Sequence, residues 1–120
     1  MTDADIDLKS QLDKWQLQLR KGVLIYMVLS LLNKHEMYGY ALISSLSEKM
    51  SASMAEGTIY PLLNRMVRNG NISFDWRIME TGPARKYYQI TSSGRELLAS
   101  MDEHWQGIND MIRDLRDDWI

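Results

Sequence analysis

The chain has 120 residues but no cysteine, only two prolines and only two histidines. The missing cysteine excludes disulfides, thiolate-held metal centres and cysteine nucleophiles. No run of about 18 apolar residues occurs, so no transmembrane helix is expected. The first residues, Met-Thr-Asp-Ala-Asp-Ile-Asp, are acidic and lead into polar sequence, the reverse of a secretory leader. Together with the absent cysteine, this points to a cytoplasmic protein. His35 and His104 stand apart, without neighbours at ligand spacing, and no glycine-rich phosphate loop is present. Glu36, Asp75 and Glu80 read as surface charges. No catalytic set, metal site or cofactor is expected, and an enzyme is the least favoured class.

What is present is an ordinary globular composition, 45% hydrophobic and 25% charged, long enough for one domain with a real core and an added helix. The net charge of −2 conceals an uneven distribution. Residues 57–95 hold six basic and two acidic side chains, a net of +4, whereas residues 96–120 hold two and seven, a net of −5. The middle is a basic module and the C-terminal segment an acidic one.

Periodicity divides the chain further. Residues 5–19 are amphipathic, with Leu8, Leu12, Trp15 and Leu19 on one stripe and Asp5 and Asp7 near a helix start, where the macrodipole favours carboxylates. A second helix is expected over about 20–33, apolar nearly all round and therefore central to the core. His35–Tyr40 is a break, and a third helix runs to about Met50, burying Leu42, Ile43 and Leu46. Ser51-Ala52-Ser53 ends it.

Residues 56–70 then form a short helix with unlike faces. Ile59, Leu62, Leu63, Met66 and Val67 share a buried side, and Thr58, Asn64, Arg65 and Arg68 share the other, with Tyr60 at the edge. Gly57 and Pro61 predict an irregular or kinked first turn, and Asn69-Gly70 a stop. From Asn71 the period becomes two. Ile72, Phe74, Trp76 and Ile78 alternate with polar residues in a half-buried strand. A turn over Glu80–Ala84 and a return strand over Arg85–Ile90 complete a hairpin. Three helices followed by a hairpin is the winged helix-turn-helix order, a mainly α (α+β) fold. Thr91 is placed to cap a last helix. There Leu98, Met101, Trp105, Ile108, Ile112, Leu115 and Trp119 repeat at steps of three and four, a heptad seam. The expected organisation is 1–19 an N-terminal amphipathic helix, 20–91 the winged helix-turn-helix, and 92–120 a dimerisation helix.

The two-faced helix suits a DNA major groove. Arg65 fits guanine O6/N7 or a phosphate, Asn64 fits adenine, and Arg68, one turn on, fits a phosphate. Arg85-Lys86, beside the Gly82-Pro83 turn, would project from the wing tip to phosphate or the minor groove. Against this stand an ordinary amphipathic surface helix and a solvated hairpin end. A winged-helix protein-interaction module without DNA binding is the alternative function. The C-terminal seam either covers this chain's own core or, as favoured here, packs with Leu12 and Trp15 across the two-fold axis of a homodimer. A two-fold protein implies two-fold related DNA half-sites. Trp105 lies near the middle of that seam. Beside its symmetry mate it would either leave a flat slot between indoles or serve simply as dimer packing.

Three segments carry a family resemblance: Leu31-Leu32 followed by Met37-Tyr38-Gly39-Tyr40, then Glu56–Met66, then Arg85–Gly94. In this order they resemble the PadR family of bacterial winged-helix regulators. The short single C-terminal helix resembles the family's compact branch, which includes the multidrug-sensing regulator LmrR. The resemblance implies a dimeric transcription factor, usually a repressor, released from DNA by small, often planar aromatic or phenolic, ligands. On that basis Tyr38, Thr58, Tyr60, Asn64, Arg65, Arg68, Arg85 and Lys86 are the candidate DNA contacts. Trp105 sits where that branch sandwiches planar ligands. Gly22 and Tyr26 match positions lining the pocket, with Met101 and Ile108 beside them on the last helix. Tyr26 is bulkier than the usual occupant, which implies a small or closed pocket.

Overall fold

The structure, a computed structural model, describes residues 2–50 and 56–117, with the backbone alone for residues 3–6 and 56. α1 (Asp3–Leu32) is one helix of 30 residues where the sequence pattern suggested two. The change of pattern near Arg20 reports a change in what the helix packs against, not a break. Gly22 lies near the junction, but a glycine costs an exposed helix only about 1 kcal/mol. That is outweighed by Leu24, Val28, Leu29 and Leu32, all buried. The N-terminal half instead leaves Leu8, Leu12 and Trp15 in solvent.

The break after α1 contains a strand that the sequence did not announce. β1 (Met37–Tyr38) is two residues long, too short for any period to show. It leads directly into α2 (Gly39–Met50), which buries Leu42, Ile43 and Leu46 as expected. The Ser51–Ser53 stop lies outside the described residues. α3 (Glu56–Arg68) runs through Pro61 without interruption, so the expected irregularity at Pro61 is absent from its secondary structure. Ile59, Leu62, Leu63 and Met66 are buried and Val67 partly so.

α3 closes in a left-handed C-terminal cap. Gly70 takes φ 79°, its N–H donates to Val67 O at 3.0 Å, and the Asn71 N–H donates to Met66 O at 3.0 Å. These are the paired hydrogen bonds of the Schellman arrangement, which satisfies carbonyls that the helix end leaves open. The chain then turns into β2 (Ile72–Arg77) and returns in β3 (Arg85–Ile90). The sheet is antiparallel in the order β1-β3-β2, with Met37 opposite Tyr88, Ile72 opposite Ile90 and Trp76 opposite Lys86. The alternating face of β2 is buried only at Ile72. Phe74, Trp76 and, beyond the strand, Ile78 emerge progressively into solvent.

α4 (Ser92–Asp117) is capped as expected. The Gly94 N–H donates to Thr91 Oγ1 at 3.0 Å, and Thr91 Oγ1 donates to Gly70 O at 2.6 Å, joining the two helix ends. Gly94 is required there, because a Cβ would collide with the Asn71 carbonyl and Ile90. One core unites the second half of α1, α2, the inner face of α3, Met37, Ile72 and Tyr88 of the sheet, and Leu98 of α4. The result is the winged helix-turn-helix arrangement, with one long helix on either side of it in sequence.

Candidate functional site

Burial of one side of α3 determines what the other side presents. At 3.6 residues per turn, Pro61, Asn64 and Arg68 share a row, and all three are exposed. Thr58 and Arg65, also exposed, form the flank nearer α1. With Lys21 and Leu24 of α1, and with Pro61, Leu62 and Arg68, they line a groove of about 450 Å³. Lys21 was not singled out by the sequence reading, because only the packing of α1 beside α3 brings its charge to this face. Neither Lys21, Arg65 nor Arg68 makes an ion pair among the described residues.

Tyr60 occupies the other flank. A Cβ on Gly39 would meet its hydroxyl at 2.9 Å and its ring at 3.0 Å, so glycine at the start of α2 admits this ring. Tyr60 joins Tyr38, Tyr40, Arg85, Lys86 and Tyr88 around a second groove of about 440 Å³. The candidate DNA contacts thus fall into two concavities flanking α3, with Asn64 on the ridge between them. Tyr38 packs between Tyr40, whose ring centroid is 6.3 Å away, and Tyr87, at 5.8 Å. The Arg85 guanidinium carbon lies 4.6 Å from the Tyr38 ring centroid. The Lys86 ammonium lies 3.8 Å from that of Phe74. Aromatic rings attract these cations without neutralising them, so both remain available to an anion.

Arg85 and Lys86 open β3 at the turn end of the hairpin, opposite Arg77 and Trp76. The turn itself is formed around Gly82, at φ 86°. Arg77, opposite Arg85 in the register, is differently placed. It pairs with Glu36 at 2.6 Å and approaches Asp75 at 3.8 Å. The hydrogen bond from Arg77 holds the Glu36 carboxyl below the usual glutamate range, and Glu36 in turn raises the Arg77 guanidinium. This pair ties the turn after α1 to the hairpin and removes one cation from the free basic set.

The second candidate region is formed by α1 and α4. Gly22, Tyr26, Met101, Trp105 and Ile108 all line one groove of about 360 Å³, together with Gln18, Leu19, Val23 and His104. The added residues follow the helical stripes of Gly22–Tyr26 and Met101–Ile108, a signal legible once the two helices are known to face each other. Tyr26 does not fill the groove. Its ring packs 6.2 Å from that of Trp105, and its hydroxyl donates to Asp102 Oδ1 at 2.5 Å. That hydrogen bond, with some loss of hydration, raises the Tyr26 phenol above its ordinary value. A further apolar groove of about 540 Å³ lies on the other side of the pair, against Met27, Leu46 and Met50. Tyr26 therefore divides the space beside Trp105. Further along α4, Ile108, Ile112 and Leu115 are exposed. Trp119 lies outside the described residues.

Among the described residues, no cluster of three or more histidine or acidic side chains could hold a metal ion. None of the helices there is long and apolar enough to cross a membrane.

The profile of the "Transcriptional regulator PadR-like family" matches residues 28–100, from the core half of α1 through the start of α4. A PadR family transcriptional regulator from Eggerthella lenta is 30% identical, and its crystal structure superposes with a TM-score of 0.81 over 92% of this chain and 96% of that one. A PadR-like transcriptional regulator from Bacillus cereus is 36% identical, with a TM-score of 0.74 over 82% and 95%. The negative transcriptional regulator PadR of Bacillus subtilis is 33% identical over 94 residues, 77% of this chain but only 52% of that protein, so the chain spans about half its length. The matched segment contains α3, the whole of the groove beside Tyr60 and the hairpin that frames it, and the chain belongs to the PadR-like family of transcriptional regulators.

Proposed function

We propose that this chain is a homodimeric, DNA-binding repressor released by a small aromatic ligand, as in the compact, multidrug-sensing branch of its family. The observation that carries the DNA reading is the exposed side of α3, where Arg65 and Arg68, beside Lys21, make no ion pair among the described residues. A helix with one buried side and a cationic, amide-bearing other side fits the major groove. Asn64 would read a base edge, Arg65 would meet a guanine edge or a phosphate, and Arg68, Lys21 and Arg85-Lys86 would hold backbone phosphates. In a protein-interaction module these cations would need an acidic partner surface to meet.

The dimer reading rests on α1 and α4, which present Leu8, Leu12, Trp15, Ile108, Ile112 and Leu115 to solvent in a single chain. Two copies joined along these helices would place their α3 helices on successive turns of one DNA face, about 34 Å apart, and select an inverted repeat. The ligand reading rests on the groove against Trp105, which adjoins the same helices. A planar aromatic or phenolic ligand wedged there would change the angle between α1 and α4, and with it the spacing of the two α3 helices. A ligand that binds the altered spacing more tightly shifts the equilibrium away from DNA.

Selection from a randomised duplex library tests the proposal. The expected product is an inverted repeat bound by the dimer and lost on Arg65→Ala/Arg68→Ala substitution with dimerisation intact. Planar aromatic dyes and phenolic acids should release it from wild type and not from Trp105→Ala. A library that returns no enriched duplex would overturn the DNA reading. Release that is unchanged in Trp105→Ala would overturn the ligand site.

A further inference from the structure

The hairpin carries an apolar row that DNA-phosphate contact does not explain. Ile72, Phe74 and Trp76 lie on one face of β2, and Ile78 follows just beyond the strand. Their exposures climb from 1% to 37%, 64% and 93%. The row leaves the core and runs out along the wing. It is buttressed: the Phe74 and Trp76 rings meet edge to face, with centroids 6.4 Å apart at 88°. Lys86, opposite Trp76 in the register, places its ammonium 3.8 Å from the Phe74 ring centroid and 5.8 Å from that of Trp76. The acidic residue between the two rings, Asp75, faces the other side of the sheet, 3.8 Å from Arg77. The row's rim beside Trp76 is therefore cationic.

The same face looks toward the recognition helix. Lys86 and Tyr88 of β3 share a groove with Tyr60 of α3. A duplex seated on α3 would meet this side of the hairpin next, and the part of the duplex it would meet is the minor groove adjoining the occupied major groove.

We infer that Trp76, with Ile78 beyond it, is an apolar wedge that enters the minor groove and bends the operator. The inference rests on the DNA-binding reading above and gives the wing a role other than phosphate contact. The shape favours this occupant over a second protein. Alternate residues on a strand are about 7 Å apart along one line, so Phe74 and Trp76 form a ridge one side chain wide, with the exposed Ile78 just past its end. A stable protein interface needs a patch of about 800 Å² on each partner. The minor groove is only about 6 Å wide and admits such a ridge. Inserted apolar side chains part base steps and kink DNA toward the major groove, most readily at flexible pyrimidine–purine steps. Lys86, held against Phe74, then sits at the groove edge beside a phosphate.

The test uses the selected duplex, end-labelled for energy transfer and carrying 2-aminopurine at its pyrimidine–purine steps, with full-length wild type and Trp76→Ala. Trp76 is largely in solvent, so the variant keeps the fold. Wild type should shorten the end-to-end distance and brighten 2-aminopurine at one step in each half-site. Trp76→Ala should do neither, and should bind about tenfold more weakly. Its dependence of affinity on salt should match wild type, because an apolar wedge releases no counterions. Trp76→Phe should recover part of the bend. Equal bending and equal affinity in wild type and Trp76→Ala would overturn the inference. So would conversion of the free dimer to monomer by Trp76→Ala, which would assign the ridge to a second copy. Failure of wild type to bind any selected duplex would instead remove the DNA-binding reading itself.

Discussion

The salt dependence of DNA binding can be worked out from the cations the structure leaves uncommitted. Lys21, Arg65 and Arg68 line one groove beside α3, and Arg85 and Lys86 line the other, five per protomer and ten in the proposed dimer. Arg77 is left out because Glu36 and Asp75 already balance it. Each phosphate neutralised contributes about −0.9 to the slope of log affinity against log salt. Ten contacts give a slope of about −9 and a loss of about 10⁵-fold in affinity between 50 and 200 mM KCl. Arg65→Ala/Arg68→Ala leaves six, for which the slope is about −5 and the loss about 10³-fold. Fluorescence anisotropy on the selected duplex across a KCl series measures both slopes. If Arg65 reads a base rather than a phosphate, its removal lowers affinity unequally across duplex sequences, and the slope changes by about half as much. A slope identical in wild type and the double variant would refute the reasoning, since it would mean that neither α3 arginine meets a phosphate.

Three further outcomes are expected. Gly94→Ala drives a Cβ into the Asn71 carbonyl and Ile90; overpacking of this kind costs about 1–3 kcal/mol, visible as a fall of at least several degrees in a circular dichroism melt, and an unchanged melt would show that the Thr91 cap and the Gly70 turn can part without cost. The Glu36 carboxyl is lowered in the folded state by the hydrogen bond from Arg77, so its contribution to stability is complete above the ordinary glutamate range and is lost as pH falls through the folded value; urea titrations in acid should therefore lose stability less steeply in Glu36→Gln than in wild type, and coincident acid limbs would contradict the pairing. Wild type should sediment as the proposed dimer, and Ile112→Asp, which puts a charge on the exposed seam of α4, should convert it to monomer without loss of helix, whereas a variant that remains dimeric would place the interface elsewhere.

The elements most legible in the sequence were those that state a period or a stop within themselves. The faces of α3 followed from five apolar residues at helical spacing, and its end from Asn69-Gly70. The structure realises that end as a left-handed glycine with two closing hydrogen bonds. Thr91 announced the cap of α4 by the same local chemistry. β1 was illegible because two residues hold no period, and it becomes a strand only through pairing with Tyr87 and Tyr88 of a segment some fifty residues away. The supposed boundary near Arg20 was misleading for a related reason. A helix that is amphipathic in one half and apolar all round in the other looks like two helices until the neighbours of each half are known.

The candidate site divides along the same line. Residue chemistry and helical phase were enough to bring Thr58, Asn64, Arg65 and Arg68 to one side of α3. The heptad seam supplied Met101, Trp105 and Ile108, and the family resemblance supplied Gly22 and Tyr26; the structure brings the two stripes face to face along one groove. Long-range packing decided what surrounds them. It set Lys21 beside Arg65, paired Arg77 with Glu36, and drew Lys86 onto Phe74. It also turned Tyr26 toward Asp102, leaving open space on both sides of Trp105. A backbone period constrains only the direction in which a side chain leaves its own element. What that side chain meets depends on elements distant in the chain. The helices, their faces and the family could therefore be read from the order of residues, while the partners of each charge and ring, and the exposure of Trp76 beyond the core, required the fold.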